Sequence, residues 1–302
     1  MLYDVVILGC GPAGMTAAIY ALRAGRTVLV IEEAAPGGQI LFAHEVENFP
    51  AFRRISGAEL SDRMFQQILD LGAVIESDRV SKVEKEGEIF KITTDYGSFE
   101  GRTVIVATGV KNRPLGVARE EELVGAGVSY CALCDGNFFK GRPVAVVGGG
   151  NTALQDALYL ADLCSEVYLI HRRDSFRGEE ARVQAIRGRD NIRLMLESTV
   201  TELHGDRALE GLTVQNKITG QTTRIDCAAV FVAVGKVADN SFLGDLVPTD
   251  AGYILADESC VTPCAGLFTA GDCRSKTVRQ LTTAVADGSA AATAAIEYLN
   301  EQ

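Results

Sequence analysis

The fold is decided by the stretch Val5-Val6-Ile7-Leu8-Gly9-Cys10-Gly11-Pro12-Ala13-Gly14, in which a short apolar run enters a glycine-rich turn. An Ala-rich helical pattern follows over residues 15–24, and a second apolar run covers residues 27–31. A β-strand that turns tightly into a helix needs glycine at Gly9 for the turn, at Gly11 for a backbone close to a pyrophosphate, and at Gly14 for helix packing. The helix that starts at Pro12 and Ala13 then directs its N-terminus at the phosphates. The stretch predicts a dinucleotide-binding strand, turn, helix and strand.

An acidic pair ends the second apolar run. Glu32 and Glu33 follow the glycine turn by about twenty residues. A carboxylate at the end of this strand accepts hydrogen bonds from the ribose hydroxyls of an adenosine. We expect this pair to lie at the adenosine end of the first dinucleotide site.

The same plan recurs in the second half of the chain. An apolar strand over residues 143–147 precedes a second glycine turn, and after a helix to about residue 162 a strand over 166–170 follows. The turn consists of Gly148, Gly149, Gly150, Asn151, Thr152 and Ala153. The second strand ends in a basic cluster, namely His171, Arg172, Arg173 and Arg177. Guanidinium groups at this position suit a ribose 2′-phosphate, which favours NADPH. The alternative is that these residues form a basic surface turn with no ligand.

Each copy closes with a similar apolar strand and a glycine, over residues 103–109 and 230–235. After residue 240 the chain has a tail of about sixty residues, too small to bury a core of its own. We therefore expect an α/β fold with two Rossmann-like domains in three layers, the second inserted into the first. The predicted boundaries are 1–113 with 241–302 for the outer domain, which carries the first dinucleotide site, and 114–240 for the inner, NADPH-binding domain.

The tail carries a strand that runs into Gly271 and Asp272, followed by Arg279 and Gln280 at the start of a helix over residues 281–299. Asp272 is a candidate to bind a sugar-alcohol hydroxyl of a flavin, with the helix N-terminus facing the electron-rich end of the ring. A turn aspartate and a helix cap are the alternatives that remain open for these residues.

A Cys-x-x-Cys pair, Cys131 and Cys134, stands shortly before the second glycine turn. In an intracellular chain with Rossmann-like modules this spacing indicates a dithiol/disulfide couple, because one helical turn brings the two sulfurs within bonding reach. A structural zinc site would need a second Cys/His pair at matching spacing, and the sequence has none. Asp135, beside the second cysteine, is a candidate proton relay or a simple helix residue.

Composition excludes several classes of function. The net charge is −11 and no Lys/Arg-rich stripe is present, which argues against a nucleic-acid partner. The apolar runs are shorter than the ~18 residues of a membrane span. The N-terminal residues show no signal-peptide pattern, so we expect a cytoplasmic protein.

The remaining cysteines suggest no second chemistry. Three of them, Cys10, Cys164 and Cys227, fall in apolar patterns, where a small buried side chain is the expected role. The other three, Cys260, Cys264 and Cys273, lack a CxxC pair, so no metal is expected there.

These motifs together resemble the low-molecular-weight, bacterial-type thioredoxin reductases of the FAD- and NAD(P)-dependent pyridine nucleotide-disulfide oxidoreductases. The resemblance covers essentially the whole chain. Its matching pieces are the two glycine turns, Gly37-Gly38-Gln39, Glu45-Val46-Glu47-Asn48-Phe49-Pro50, Cys131-Ala132-Leu133-Cys134-Asp135-Gly136, residues 171–177, Gly271-Asp272 and Arg279-Gln280.

The resemblance implies a homodimer that passes electrons from NADPH through FAD to a disulfide, with reduced thioredoxin as product. It implies that Gly38, Gln39 and Asn48 help to hold FAD. It also implies that Cys134 faces the flavin and that Cys131 attacks the thioredoxin disulfide. Because nicotinamide and CxxC lie on one module, we expect a rotation of that module between the two half-reactions.

One segment departs from the family pattern, since many relatives carry Pro-Asn-Thr where this chain has Ala238-Asp239-Asn240-Ser241. Related dithiol oxidases and ferredoxin-fed reductases tend to lose the NADPH-binding residues, which are present here. Peroxide-linked reductases carry an extra N-terminal redox domain, which this chain would need from a separate partner. A non-catalytic nucleotide sensor and a zinc-stabilised module are the alternatives from other classes.

Overall fold

The computed structural model describes residues 1–43 and 45–302, and this part of the chain divides into two units. The outer unit comprises Met1–Lys111 with Val237–Gln302, and the inner unit comprises Asn112–Lys236. The boundary on the C-terminal side therefore lies four residues before the expected one at 241. The reason is Asn240, which is buried and donates its side-chain amide to the backbone oxygen of Gly252 in the outer unit.

The outer unit is a sheet with helices against it. Its elements are β1 (Leu2–Leu8), α1 (Pro12–Arg23), β2 (Val28–Glu32), α2 (Gly57–Asp70), β3 (Val74–Ser77), β4 (Val80–Glu86), β5 (Ile89–Thr94), β6 (Ser98–Val106), β17 (Thr249–Asp250), β18 (Tyr253–Ile254), β19 (Leu267–Thr269) and α6 (Leu281–Asn300). The inner unit contains β8 (Val128–Ser129), α3 (Ala132–Asp135), β9 (Pro143–Val147), α4 (Asn151–Leu163), β10 (Glu166–Ile170), α5 (Glu180–Arg187), β11 (Ile192–Met195), β12 (Ser198–His204), β13 (Gly211–Asn216), β14 (Thr222–Asp226) and β15 (Ala229–Val232). Two short strands, β7 (Lys111–Asn112) and β16 (Lys236–Val237), pair where the chain passes between the units.

The outer sheet has the strand order β3-β2-β1-β6-β5-β4. Its central strand β6 is shared along its length: Ser98 to Gly101 pair with antiparallel β5, whereas Val104 to Val106 pair with parallel β19. This arrangement brings the tail of the chain into the first module, as the sequence predicts. The parallel part of the sheet is apolar on both faces because both are covered. Helices α1 and α6 pack on one face, and Leu243, Val247 and Ile254 of the tail pack on the other.

The inner sheet has the order β11-β10-β9-β15-β8, and all of its pairs are parallel. Strands β12, β13 and β14 add an antiparallel meander that packs on the face opposite α4. Both units thus repeat one plan, in which a buried parallel strand turns at glycine into a helix. The predicted α/β class with Rossmann-like modules is confirmed. Among the described residues, no helix combines the length and the apolar character that crossing a bilayer requires.

Candidate dinucleotide and redox sites

The first glycine turn is closed on one side and open on the other. Gly9 has a positive φ of 105°, and a Cβ there would lie 2.5 Å from the backbone oxygen of Ala107. A Cβ at Gly14 would lie 2.0 Å from the oxygen of Gly9. A Cβ at Gly11, in contrast, would have no atom of the described residues within 4 Å. The turn is therefore packed against the sheet where it needs glycine and presents a bare backbone outward at Gly11.

The start of α1 suits an anion. Its N-cap Gly11 makes no side-chain hydrogen bond, Pro12 occupies the first helical position, and no acidic residue lies in the first turn. Free N–H groups at a helix N-terminus carry a partial positive charge. This end of α1 can therefore receive a pyrophosphate.

Glu32 ends β2 beside this turn. Its Oε2 accepts a hydrogen bond of 2.6 Å from the backbone N–H of Cys10, and its Oε1 accepts one of 3.0 Å from Ala34. Glu33 points elsewhere, since Lys111 Nζ lies 2.6 Å from its Oε1. Glu32 is thus fixed against the glycine turn, whereas Glu33 already has an ion-pair partner.

The segment Gly38–Phe42 lies over the turn as a short 3₁₀ helix. The N–H of Gly37 donates to the backbone oxygen of Cys10 at 2.8 Å, and a Cβ at Gly38 would lie 3.4 Å from the Cα of Gly11. Gly38, with Gln39 next to it in the 3₁₀ helix, therefore lies beside Gly11 although the two are far apart in sequence.

The tail reaches the same turn from its other side. A Cβ at Gly271 would lie 2.9 Å from the Cβ of Ala13. Arg279 Nε donates to the backbone oxygen of Asp272 at 3.4 Å, and its guanidinium stacks over the Tyr253 ring at 4.4 Å. The side chain of Asn48 then donates to Gln280 Oε1 at 3.3 Å, where Gln280 caps α6.

These contacts bring the sequence-predicted residues of the first module together in one cradle. The open space at Gly11, the uncapped helix N-terminus and the adjacent carboxylate of Glu32 fit the adenosine diphosphate half of FAD. Asp272 and the residues around it fit the flavin half, since a carboxylate binds hydroxyl groups of the sugar-alcohol chain.

The second glycine turn repeats the first in detail. A Cβ at Gly148 would lie 2.4 Å from the backbone oxygen of Ala233 and 2.7 Å from the Cβ of Ala153. One at Gly150 would meet nothing within 4 Å in the part of the chain that the structure describes. Helix α4 begins at Asn151 with Gly150 as N-cap and without a side-chain cap. Thr152, next in the first turn of α4, is exposed. The inner unit therefore offers a second cradle for a pyrophosphate.

Hydrogen bonds join the segment that carries the basic cluster to this second turn. The N–H of Arg177 donates to the oxygen of Gly149 at 2.8 Å, and Asn151 Oδ1 accepts the N–H of Glu179 at 2.7 Å. Arg172, Arg173 and Arg177 are exposed, and within the described residues none of their guanidinium groups has an ion-pair partner. Three unpaired guanidinium groups fit a phosphate ester beside the dinucleotide cradle.

His171 differs from its three basic neighbours because it is buried. Its ring stacks on Phe176 and fills the space at Gly149, where a Cβ would lie 2.2 Å from its Cε1. Burial, followed by the charges of Arg177, Arg173 and Arg172, lowers the pKa of His171 below its ordinary value. His171 is therefore a neutral ring that packs under the turn, so it shapes the cradle rather than adding charge.

The predicted cysteine pair is a disulfide, with Cα atoms 5.3 Å apart. Cys131 is the N-cap of α3, and its Sγ accepts the N–H of Cys134 at 3.2 Å. Buried Ser129 connects two members of this site: its hydroxyl donates to Asp135 Oδ2 at 2.6 Å and accepts the N–H of Cys131 at 3.1 Å. The carboxylate beside the cysteines thus has a fixed orientation.

Some residues that shape these sites were not found from the sequence. Glu120 is 3% exposed; it accepts the Tyr130 hydroxyl at 2.8 Å and the N–H of Leu115 at 2.8 Å, which anchors the residue before Cys131. Asn240, within the segment that departs from the family pattern, accepts the Thr108 hydroxyl at 2.9 Å. The sequence did contain a signal for Asn240: it is an asparagine that this segment shares with the Pro-Asn-Thr of the family pattern.

The other cysteines are thiols in apolar surroundings. Burial raises the pKa of Cys164 to about 11 and, with a smaller effect of Glu32, that of Cys10 to about 12. Cys273 Sγ is buried against the backbone oxygens of Val106 and Ala270. Among the described residues, no group of three or more His, Cys, Asp or Glu side chains is placed to hold a metal ion.

Comparisons with known proteins agree with this geometry. The family described as pyridine nucleotide-disulphide oxidoreductase matches residues 3–288, and the chain belongs to this family. Curated relatives include the thioredoxin reductase of Treponema pallidum, 39% identical over 99% of this chain and 97% of its own, and that of Listeria monocytogenes, 40% identical over 99% and 95%. The crystal structure of thioredoxin reductase from Streptococcus pyogenes superposes with a TM-score of 0.95 at 38% identity, covering 100% of this chain and 99% of its own. The resemblance stated from the sequence is confirmed.

We predict that Cys131 and Cys134 are the first cysteines to be alkylated after mild reduction. A thiol with a pKa of about 12, as burial gives Cys10, Cys227 and Cys260, is ionised to only about one part in ten thousand at pH 8. The measurement is iodoacetamide labelling with and without limiting dithiothreitol, read by mass spectrometry. Without reductant the pair should be protected. Labelling of the three buried cysteines at a comparable rate would contradict this account.

Proposed function

We propose that the protein is an NADPH-dependent thioredoxin-disulfide reductase that uses FAD and the Cys131–Cys134 disulfide. The observation that carries the proposal is the disulfide itself, which lies on the same unit as a dinucleotide cradle with unpaired guanidinium groups. It is supported by relatives named thioredoxin reductase that match nearly the whole chain.

The two cradles divide the cofactors. FAD binds in the outer unit at Gly9, Gly11, Gly14, Glu32, Gly38, Gln39, Asn48, Asp272 and Gln280, and NADPH binds in the inner unit at Gly148, Gly150, Asn151, Thr152 and the three arginines. FAD held in the outer cradle would supply the two-electron redox chemistry that links the nicotinamide to the disulfide. The open side of each glycine turn holds the pyrophosphate of its dinucleotide. Arg172, Arg173 and Arg177 select the 2′-phosphate of NADPH.

The reduced cysteines then carry out thiol–disulfide exchange. The Cys131 thiolate attacks one sulfur of the substrate disulfide and releases the other as a thiolate, which forms a mixed disulfide. Cys134 attacks the Cys131 sulfur and releases the second substrate thiol, which restores the enzyme disulfide. Cys131 suits the attacking role because its Sγ accepts the Cys134 N–H at a helix N-terminus, which favours the thiolate.

Asp135 exchanges a proton with the cysteine pair, because each cycle protonates two departing thiolates and deprotonates the enzyme thiols again. The hydrogen bond from Ser129 keeps one of its oxygens in place on the CxxC side of α3. Loss of the Ser129 hydroxyl would therefore disturb the acid without removing it.

A thioredoxin or a thioredoxin-like protein is the proposed partner. A relative in Mycobacterium leprae, 40% identical over 99% of this chain and 66% of its own length, is named a bifunctional thioredoxin reductase/thioredoxin. The combination of the two names in one protein supports the pairing of these activities. We further propose a cytoplasmic homodimer, in keeping with the resemblance.

A flavoprotein that receives electrons from another donor is the rival within this fold. A ferredoxin-flavin thioredoxin reductase from Clostridium acetobutylicum superposes with a TM-score of 0.55 at 29% identity. The unpaired cluster Arg172, Arg173 and Arg177 favours NADPH over ferredoxin for this chain.

The electron donor is tested by the double variant Arg172→Ala/Arg173→Ala. Each lost charge-assisted contact with the 2′-phosphate costs about 1.5–3 kcal/mol, so the KM for NADPH should rise by about a hundredfold or more while that for NADH changes little. Arg187→Ala is the matched control, because Arg187 is an exposed guanidinium in α5 of the same unit. An equal rise in both KM values would defeat the assignment.

The thiol roles are tested by Cys131→Ser in an assay that couples NADPH oxidation to reduction of a panel of thioredoxins. The variant should retain FAD and its reduction by NADPH, but lose at least about a hundredfold in turnover because the nucleophile is gone. Cys264→Ser serves as control, since Cys264 lies outside the two cradles and the disulfide. Turnover by Cys131→Ser at the wild-type rate would remove the pair from the mechanism.

A rotation of the inner unit is the last part of the proposal. Nicotinamide and disulfide must each approach the same flavin ring to about van der Waals distance, and both belong to one unit. The two chain crossings, at β7 and β16, are short enough to act as a hinge. The inner unit therefore presents the two groups in turn.

A bifunctional crosslinker that joins the two units tests this rotation. A crosslinked enzyme should retain at most one half-reaction, either flavin reduction by NADPH or reoxidation by the disulfide, because one arrangement serves only one of them. Rapid mixing of each half-reaction is the measurement, with the monofunctional reagent as control. A crosslinked enzyme that completed both at wild-type rates would rule the rotation out.

A further inference from the structure

A buried ionic cluster lies behind the Gly271–Asp272 turn. Arg274 and Asp287 are 1% and 4% exposed, and the Lys276 side chain is 4% exposed. Arg274 and Lys276 follow the turn directly, whereas Asp287 lies in the second turn of α6. Charged side chains are rarely buried this deeply unless they are paired with one another. The position of this cluster therefore calls for a structural or functional explanation.

The hydrogen-bonding capacity of the arginine is completely used. Arg274 Nε and Nη2 donate side by side to the two oxygens of Asp287 at 2.9 and 3.0 Å. Nη2 also reaches Glu258 at 3.0 Å, and Nη1 donates to the backbone oxygens of Ala256 and Ser275. A guanidinium has five N–H donors, and each has an acceptor here.

The aspartate is equally saturated, and one of its partners is the flavin turn. Asp287 Oδ2 accepts Lys276 Nζ at 2.8 Å and the backbone N–H of Gly271 at 2.9 Å. Gly271 has a φ of 80°, in the left-handed region that glycine adopts readily. The Gly271 N–H therefore takes its direction from Asp287, a side chain sixteen residues away.

The residue after Asp287 connects the cluster to the first glycine turn. A Cβ at Gly288 would lie 2.3 Å from the backbone oxygen of Ala13, so α6 touches α1 at the start of that helix. Asp287 and Gly288 together set the distance between the Gly271–Asp272 turn and the pyrophosphate end of α1.

The charge state of the cluster is secure. Burial alone would raise the pKa of Asp287, but hydrogen bonds from Arg274 and Lys276 and their charges outweigh it and hold this pKa below its usual value. Burial alone would lower the pKa of Arg274, but the hydrogen bonds to Asp287 and the charge of that carboxylate outweigh it, so the pKa of Arg274 is raised. The carboxylate is therefore ionised throughout the physiological range.

We propose that Asp287, braced by Arg274 and Lys276, is a positioning residue for FAD: it fixes the Gly271–Asp272 turn against α1 and so sets the affinity for the flavin half of the cofactor. This inference rests on the proposed placement of FAD in the outer unit. It assigns a role to three side chains that need no contact with the cofactor.

The test compares how apoprotein of wild type and of Asp287→Asn binds FAD and ADP. FAD affinity is measured by quenching of flavin fluorescence, and ADP affinity by competition with FAD. Because ADP contains only the half held by the Gly9–Gly14 turn, the variant should bind FAD at least tenfold more weakly while its ADP affinity stays within about twofold. A general loss of folding would instead weaken both ligands equally, and that result would overturn the proposal.

Two control variants sharpen the comparison. Glu258→Gln removes the exposed carboxylate of the same arginine and should leave both affinities unchanged. Glu120→Gln removes a buried carboxylate of the inner unit, so it should lower the melting temperature without changing the ratio of FAD to ADP affinity. A change of this ratio in Glu120→Gln as large as that in Asp287→Asn would also overturn the proposal.

If Asp287→Asn does not fold, Lys276→Gln decides, because it removes one bond to Asp287 and leaves the Gly271 and Arg274 bonds in place. A two- to fivefold loss of FAD affinity with unchanged ADP affinity supports the proposal, and an unchanged FAD affinity overturns it. Failure of the wild-type apoprotein to bind FAD would instead reject the proposed function.

Discussion

Both units depend on a close backbone contact between the first glycine of the turn and the residue that follows a neighbouring strand of the same sheet. At Gly9 the approach is to Ala107, and at Gly148 it is to Ala233, with room for hydrogen only in each case. The close approach orients the helix that follows, and the third residue of each turn, Gly11 or Gly150, faces open space among the described residues. Every other feature of the two cradles, from Glu32 to the arginine cluster, is placed relative to this contact.

The two nucleotide-binding modules share one backbone plan, but they carry opposite charges at the end of the second strand. In the first, Glu32 is bonded to the turn, and we propose a ribose hydroxyl as its ligand. In the second, the same strand end carries guanidinium groups that have no ion-pair partner within the described part of the chain. The difference separates the binding of two dinucleotides on one fold plan. The cysteine pair adds the third redox group, with its geometry set by Ser129 and by the N–H of Cys134.

Much of this organisation is readable from the sequence because it depends on local patterns. Strands at 143–147 and 166–170 have the bounds that alternation of apolar runs and turns predicts, and the CxxC spacing predicts the disulfide. The residues that were missed act over long distances. Glu120 stands in the charged run 119–122, which reads as solvated surface, yet its carboxylate is buried against Tyr130. From the sequence, Asp287 would be interpreted as an exposed acid on the surface of α6. In the structure its carboxylate is buried against Arg274.

The central claim is that electrons from NADPH pass through the flavin into the Cys131–Cys134 disulfide, and an anaerobic titration measures this most directly. Flavin and disulfide each take two electrons, so the holoprotein should consume about two equivalents of NADPH before excess nicotinamide absorbs. Two new thiols, identified by mass spectrometry as Cys131 and Cys134, should appear in the course of the titration. Saturation at one equivalent with the disulfide intact would contradict the account.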